Sequence, residues 1–396
     1  MSNSSDSKLF THSQRIETLN ILRGFAMLGI FISIVGSFNS SLLYGHRLEI
    51  DKTSLDQFIG MFHSVFVNLR FIGIFSLLFG IGIAVQEKSC AAKGIPFFPH
   101  YSRRTLGLAI LGALVISFIF HAEILLAYAI LGFLTLCLVR MNLKFAIFIA
   151  ILSIVVYGSI FEITARELLL AEFKGFRKVI RFPEFLAAYQ SGPFLTQIKV
   201  RWMEYLIIYA DNGFHMGTSL GMMILGYAIA IKDLHQKFIN NLSSYARWFG
   251  IASAITIIFG LYFFATDQTF FLITEKPIGS AFWSLFQVCS TFTYVYVICW
   301  IATRSSLKLI TQLFANNGRM SLTTYVGGAL LFSLVFYYPG LGLYTKYGTT
   351  IQTTIALGAY VIMTLFSCLW LKRFHHGPLE WVLRKFTYWK SPHKVN

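Results

Sequence analysis

Residues 105–139 read TLGLAILGALVISFIFHAEILLAYAILGFLTLCLV. Only one histidine and one carboxylate, His121 and Glu123, interrupt this run of 35 residues, and they sit near its middle. A helix needs about 20 mostly apolar residues to cross a bilayer. The run is too long for one crossing and suits two, so it predicts a tight helical hairpin with its turn at His121-Ala122-Glu123. Water could not solvate such a hairpin, because its outer surface would be apolar all round. Lipid must be its solvent.

The rest of the chain agrees. Of its 396 residues, 56% are hydrophobic and 13% charged, against roughly 25% charged in soluble domains. The 40 phenylalanines suit a lipid-facing wall. A net charge of +16 raises the question of nucleic acid, but the basic residues are scattered between apolar runs and form no stripe, which excludes that partner. The five cysteines (Cys90, Cys137, Cys289, Cys299 and Cys368) make no CxxC pair, so neither a disulfide framework nor a zinc site follows. The fold class is an all-α, polytopic transmembrane bundle.

Ten segments qualify as spans: 21–42, 56–86, 104–121, 123–139, 145–164, 204–231, 246–266, 279–302, 320–338 and 350–371. Segments 56–86 and 204–231 exceed one straight crossing, so each is expected to contain a kink, a re-entrant piece or a helix lying at the interface. With the N-terminus inside, the inner segments carry 20 Lys and Arg and the outer ones 11, of which seven fall in 165–203. Positive charge favours the cytoplasmic side of short loops, and an even number of spans puts both termini there. The chain then divides into an N-tail (1–20), an N-terminal membrane bundle (21–164), an outer-face amphipathic insertion (165–203), a C-terminal bundle (204–373) and an interfacial tail (374–396). In the insertion, Phe173, Phe176, Phe182, Phe185 and Tyr189 suggest helices lying on the outer membrane face. In the tail, Trp381, Tyr388 and Trp389 beside Arg384 and Lys385 suggest an anchoring helix.

Five local motifs occur in an order that resembles the YeiB-like family, a bacterial membrane family filed under a domain of unknown function. They are Leu22-Arg23-Gly24-Phe25-Ala26-Met27-Leu28-Gly29-Ile30; Phe75-Ser76-Leu77-Leu78-Phe79-Gly80; Glu123-Ile124-Leu125-Leu126-Ala127-Tyr128-Ala129; Asn317-Gly318-Arg319-Met320-Ser321-Leu322-Thr323-Thr324-Tyr325; and Gly377-Pro378-Leu379-Glu380-Trp381. Together they reach across nearly the whole chain. The resemblance implies residence in the bacterial inner membrane and a distant link to membrane acyltransferases, which move acyl groups from cytoplasmic acyl-CoA to acceptors outside. The chain departs from the family pattern at Asn20, Ile34 and Glu123, where the family usually has Asp, Asn and Asp.

Ionisable residues at membrane depth are costly and therefore candidates for function. His121 and Glu123 share the hairpin tip, where a carboxylate beside an imidazole suits general-base work; the plainer reading is a wetted turn. Asp56, His63 and Arg70 are spaced by sevens and share a face if their helix is continuous; otherwise Asp56 is loop and Arg70 snorkels. Glu204, Asp211, His215 and Thr218 form a second stripe, although Asp211-Asn212-Gly213 is turn-prone. Arg23 and Arg319 read as cations near helix starts, opposed to the helix dipole and in need of an anion, either a donor phosphate or a lipid headgroup. No P-loop, dinucleotide motif, nucleophile elbow or HExxH is present.

The reading these support first is a membrane acyltransferase-like enzyme. His121, Glu123, Asp211 and His215 would be catalytic and line one cavity, Arg23 and Arg319 would bind acyl-CoA as donor substrate, and His63 and Arg70 would be further embedded polar residues. A small molecule or an envelope glycan or lipid would be the acceptor. No tightly bound cofactor or metal is implied. A secondary transporter and a non-catalytic scaffold are the alternatives.

Overall fold

The computed structural model describes residues 12–39, 53–157, 182–211, 213–266 and 277–388. Among them all regular structure is helical. The N-terminal half holds α1 (His12–Asn39), α2 (Ser54–Phe62), α3 (Arg70–Ala92), α4 (Phe97–Phe118), α5 (Leu125–Met141) and α6 (Leu143–Leu152). Next come α7 (Phe182–Gln190), α8 (Phe194–Asp211), α9 (Gly213–Ile231), α10 (Leu234–Asn240), α11 (Leu242–Thr266) and α12 (Pro277–Ala302). The chain closes with α13 (Lys308–Arg319), α14 (Ser321–Phe336), α15 (Thr349–Trp370) and α16 (Pro378–Thr387). The hairpin expected from 105–139 is present, since α4 stops at Phe118 and α5 starts at Leu125.

Among the described residues, five stretches are long and apolar enough to cross a membrane: Ile16–Asn39, Ser54–Ala92, Leu242–Tyr262, Phe282–Ala302 and Thr349–Trp370. The α13–α14 pair, bent by 86°, makes a sixth if counted as one broken span, and Leu125–Met141, Leu143–Val155 and Met216–Ile231 are shorter apolar helices. The outward surface is apolar, with Phe148 60%, Ile258 66% and Leu365 58% exposed. Such a wall is unfavourable in water and unremarked in hydrocarbon.

Two close helix crossings organise the bundle, and both are made of glycine. A Cβ on Gly24 of α1 would lie 1.9 Å from the Phe314 carbonyl oxygen, and one on Gly318 of α13 would lie 1.8 Å from that of Asn20. On α3 and α9, Gly80 would meet the Met223 carbonyl oxygen at 1.9 Å and Gly226 that of Leu77 at 2.1 Å. Small residues let membrane helices approach backbone to backbone. Three of the five motifs thereby acquire a packing role, because the Leu22-Arg23-Gly24 and Asn317-Gly318-Arg319 segments lie against each other while Gly80 seats α9.

The long segment 56–86 breaks as its length demands. In 56–86, α2 gives way to a π turn over His63–Val67, Leu69 takes the left-handed conformation (φ 71°), and α3 starts afresh at Arg70. Asp56, His63 and Arg70 therefore do not share a face. In 204–231, α8 is described to Asp211 and α9 from Gly213; residue 212, where a kink would fall, lies outside the described residues. Residues 165–181 of the insertion, with Phe173 and Phe176, also lie outside them; Phe182 opens α7. The remaining part is not a surface layer, since Phe185 and Tyr189 are fully buried and α8 runs unbroken through the expected 203/204 boundary. The tail helix α16 does more than anchor. Glu380 accepts the N–H groups of Leu322 and Thr323 at 2.8 and 3.1 Å, capping the start of α14 from outside, and Leu383 packs over Gly107.

The bundle has two ends. At one, α3 finishes, α4 begins, and α13 turns into α14; this is the arginine end. The other holds the α4–α5 turn, the start of α15 and α7, and is rich in tyrosine.

Candidate functional site

A cavity of about 520 Å³ rises from the arginine end between α1, α3, α4, α5 and α14. Arg23, Arg104, Arg319, His375 and His376 line its lower part, together with Glu380. Met27, Ile30, Phe79 and Leu108 line the shaft, and Ile124, Leu125, Tyr128 and Tyr325 its upper part. The α1–α13 crossing explains why two arginines from opposite ends of the sequence share this space, because each flanks one of the paired glycines. Arg23 Nη1 donates to Asn20 Oδ1 at 3.1 Å, and Arg319 Nη2 donates to the His375 carbonyl at 3.4 Å. Among the described residues none of the three arginines forms an ion pair. The carboxylate in the lining, Glu380, already spends both oxygens on α14, one on the N–H groups of Leu322 and Thr323 and the other on the Thr323 hydroxyl.

The helix-start argument for these arginines fails on geometry. Arg319 closes α13 rather than opening the next helix, and there a cation complements the carbonyl end of the dipole. Arg23 sits well inside α1, which begins at His12. Both still face the cavity. Sequence reading missed Arg104, because the Arg103-Arg104 pair was taken for a topology signal, and missed His375 and His376 in the turn before α16. The signal for Arg104 was its spacing, since Tyr101, Arg104 and Leu108 at i, i+3 and i+7 all line the cavity. His376 lies outside the spans. Burial first, then Arg384, His375 and Arg319, hold its pKa below the ordinary value, and Arg384 Nη1 meets its Nε2 at 2.5 Å.

The opposite end is packed solid. His121 and Glu123 share the turn but do not pair. Glu123 bends back to accept the N–H groups of Leu125 and Leu126, the latter at 2.9 Å, and so caps α5. The carboxylate beside His121 is Glu204 of α8, whose Oε2 lies 3.4 Å from Nδ1. Tyr189 donates to the same Glu204 oxygen at 2.7 Å and lies 3.5 Å from the imidazole. His121, Glu204 and Tyr189 are each at most 1% exposed. Around them Tyr189 stacks on Tyr337 at 4.6 Å, and Phe38 stacks on Phe120 at 3.7 Å. Arg201 donates to the Ser117 carbonyl and to Gln197, with its guanidinium 5.5 Å from the Tyr337 ring centre. The cavity and this cluster lie on two sides of one turn, since Ile124 and Leu125 line the cavity and His121 belongs to the cluster.

The remaining candidates separate. Asp211 ends α8 and His215 lies in the first turn of α9; their side chains, and residue 212 between the two helices, are outside the described residues. Asp56 sits in a capping box with Thr53 and accepts the Thr350 N–H at 2.7 Å, tying α2 to α15. His63 lies 3.4 Å from Thr353 Oγ1. Arg70, fully buried, donates to the carbonyls of Ser64 and Asn68 at 3.1 and 2.5 Å between the rings of Trp283 and Phe286, each 4.6 Å away. It closes the π turn and does not snorkel. Among the described residues no three metal-ligating side chains converge.

Comparisons with known proteins follow the motifs. Residues 208–390 match the family described as "Protein of unknown function (DUF418)". "Uncharacterized protein YxaH" of Bacillus subtilis is 26% identical over 393 residues, covering 95% of each chain. An "Uncharacterized 39.9 kDa protein in amylase 3'region" of Bacillus acidopullulyticus is 26% identical over 390 residues, 95% of this chain and 94% of its own. "Uncharacterized protein YeiB" of Escherichia coli is 23% identical over 406 residues, 94% of this chain and 96% of its own. No solved structure matches.

Proposed function

The chain belongs to the YeiB-like DUF418 family, and from that premise we propose that it is a membrane enzyme of acyltransferase type. It takes an acyl group from a cytoplasmic donor to a small or cell-envelope acceptor on the outer side. The observation that carries this reading is the cavity at the arginine end, with three unpaired guanidiniums below and an apolar shaft above. That is the complement of a donor with phosphates at one end and an apolar arm at the other, as in acyl-CoA. Arginines hold phosphate oxygens in pairs, and Arg104 joins Arg23 and Arg319 in that role. In the same proposal the chain crosses the bacterial inner membrane about ten times, with both termini cytoplasmic, which puts the arginine end on the donor's side.

The chemistry falls to His121. Glu204 at Nδ1 favours the tautomer that leaves Nε2 free as a base, the arrangement in which a carboxylate orients an imidazole. His121 would take the proton of an acceptor hydroxyl as that oxygen attacks the thioester carbonyl; the C–S bond breaks, and the thiolate leaves and is protonated. Glu123 shapes the turn. Asp211 and His215, where α8 meets α9, belong to the acceptor side of the same proposal. Membranes carrying the protein, given radiolabelled acetyl-coenzyme A, should label an envelope component, and His121→Ala should abolish the label. Equal labelling by the His121→Ala protein would overturn the assignment.

A second reading has an observation of its own. The 86° bend between α13 and α14 resembles the discontinuous helices of secondary transporters. It predicts release of an intact ligand on the far side, with no transfer product.

A further inference from the structure

A second space lies across the α1–α3 pair from the arginine cavity. It holds about 260 Å³ and is enclosed by α1, α3, α9, α10, α11 and α12. Leu22, Leu77, Phe238, Phe249, Val295 and Cys299 form its walls, and its polar lining is His235 and Tyr245, both on the α10–α11 side. Leu19, Leu78 and Ile81 face both spaces and form the partition between them.

Three observations say what fits there. The α11 wall is lipid-facing, with Trp248 69% and Ile251 49% exposed, so the space borders the bilayer. Its rim lies at the arginine end, where α3 and α9 finish and Lys88 bonds the Ala230 carbonyl. The rim is also basic: Lys232, Lys237 and Arg247 are exposed, and the only acid between 231 and 250, Asp233, is tied to Lys88 at 2.8 Å. An apolar slot open toward lipid, with cations around its headgroup-level edge, complements a phosphate joined to a hydrocarbon chain.

We propose that this space is a binding site for one acyl chain of an anionic phospholipid from the surrounding bilayer, its phosphate held by Lys237 and Arg247. The site needs only the membrane setting and stands apart from the acyl-transfer reading. Occupied, it would brace Leu19, Leu78 and Ile81, the shared wall of the arginine cavity.

Native mass spectrometry of the full chain tests it. The protein is released from detergent holding equal amounts of palmitoyl-oleoyl phosphatidylglycerol and its phosphatidylcholine counterpart. One retained phosphatidylglycerol is expected in preference to phosphatidylcholine. Lys237→Glu and Arg247→Glu should each cut that preference roughly fivefold, the effect of one basic residue at an anionic surface. Cys299→Trp, which plugs the slot, should remove the retained lipid. Should Cys299→Trp fail to fold, a phosphatidylglycerol carrying a photoreactive group on its chain replaces it and should cross-link within 234–250 or 292–299. Equal retention of both lipids, retention unaffected by the plug, or cross-links confined to other helices would each overturn the proposal. A plug-sensitive dimer without lipid would also overturn it, by assigning the slot to a second copy of the chain.

Discussion

The two ends of the bundle treat their ionisable side chains in opposite ways. At the tyrosine end the buried charges have partners inside the protein: Glu204 has His121 and Tyr189, Arg201 has Ser117 and Gln197, and Glu123 has the first N–H groups of α5. At the arginine end three guanidiniums surround an empty volume, and the nearby carboxylate is committed to a helix cap. Arg23 and Arg104 are half-buried and Arg319 is exposed, and like charges gathered without a counter-charge repel, which is the arrangement the proposed donor site requires. The packed end looks like preorganised chemistry and the hollow end like a receptor.

This contrast can be broken by substitution. The largest effect belongs to the crossing that assembles the hollow end. Gly24→Leu would drive a side chain into the Phe314 backbone, and about 4 kcal/mol or more of stability should be lost, the range reserved for severe overpacking and strain. Unfolding in detergent would register it as loss of folded protein; near-normal stability would mean that α1 and α13 do not cross where described.

Next comes the asymmetry itself. Glu204→Ala strips the partner from His121 and Tyr189 and should cost about 2 kcal/mol, the penalty for leaving buried donors unsatisfied. Arg104→Ala removes a cation from among other cations and should leave the melting temperature unchanged or higher. If Arg104→Ala destabilised as much as Glu204→Ala, the hollow end would be structural too, and the contrast would vanish.

How much of this could be read from the sequence follows the same division. The hairpin, the break in 56–86, and the helices near 123–139, 246–266, 279–302, 320–338 and 350–371 were legible, because the length of an apolar run and its turn residues set them locally. The partners of His121 and Arg23 were not. Glu123 was the obvious mate for His121 by proximity in the chain, yet a carboxylate two residues before a helix finds its N–H groups sooner than it finds an imidazole. Glu204 comes from a segment read as the start of a span, and only three-dimensional packing brings it to the hairpin. Arg23 and Arg319 line one cavity, but the helix-start argument that singled them out is contradicted by the helix ends. The Asp56, His63, Arg70 stripe fell because the helix it assumed is interrupted at Leu69.

Smaller effects sharpen the picture of the hollow end. Glu380→Gln weakens the cap on α14 and should cost about 1 kcal/mol, the usual worth of a helix cap, while loosening the floor of the cavity; hydrogen exchange at Leu322 and Thr323 would report it. The smallest effect is one of pH. His376 is neutral at pH 7, with its pKa held below the ordinary value by burial and by Arg384, His375 and Arg319. It gains its proton only as the pH falls below about 6.5, the ordinary histidine value. That proton adds positive charge to the mouth, so affinity for an anionic ligand should rise a few-fold with acidification. The same depressed pKa contributes stability that is present above about 6.5 and lost as the pH falls. In a His376→Gln protein the gain in affinity should disappear, and a gain that survives the substitution would assign it to another group.

The central claim is that the arginine end receives a phosphorylated donor. Calorimetric titration of acetyl-coenzyme A into the purified protein tests it most directly, with the Arg23→Ala, Arg104→Ala, Arg319→Ala triple variant alongside. The account predicts saturable binding by the unaltered protein and affinity reduced at least about tenfold in a triple variant that remains folded, since each charge-assisted bond is worth about 1.5–3 kcal/mol. Equal affinity in the two proteins, or no binding by either, would contradict it.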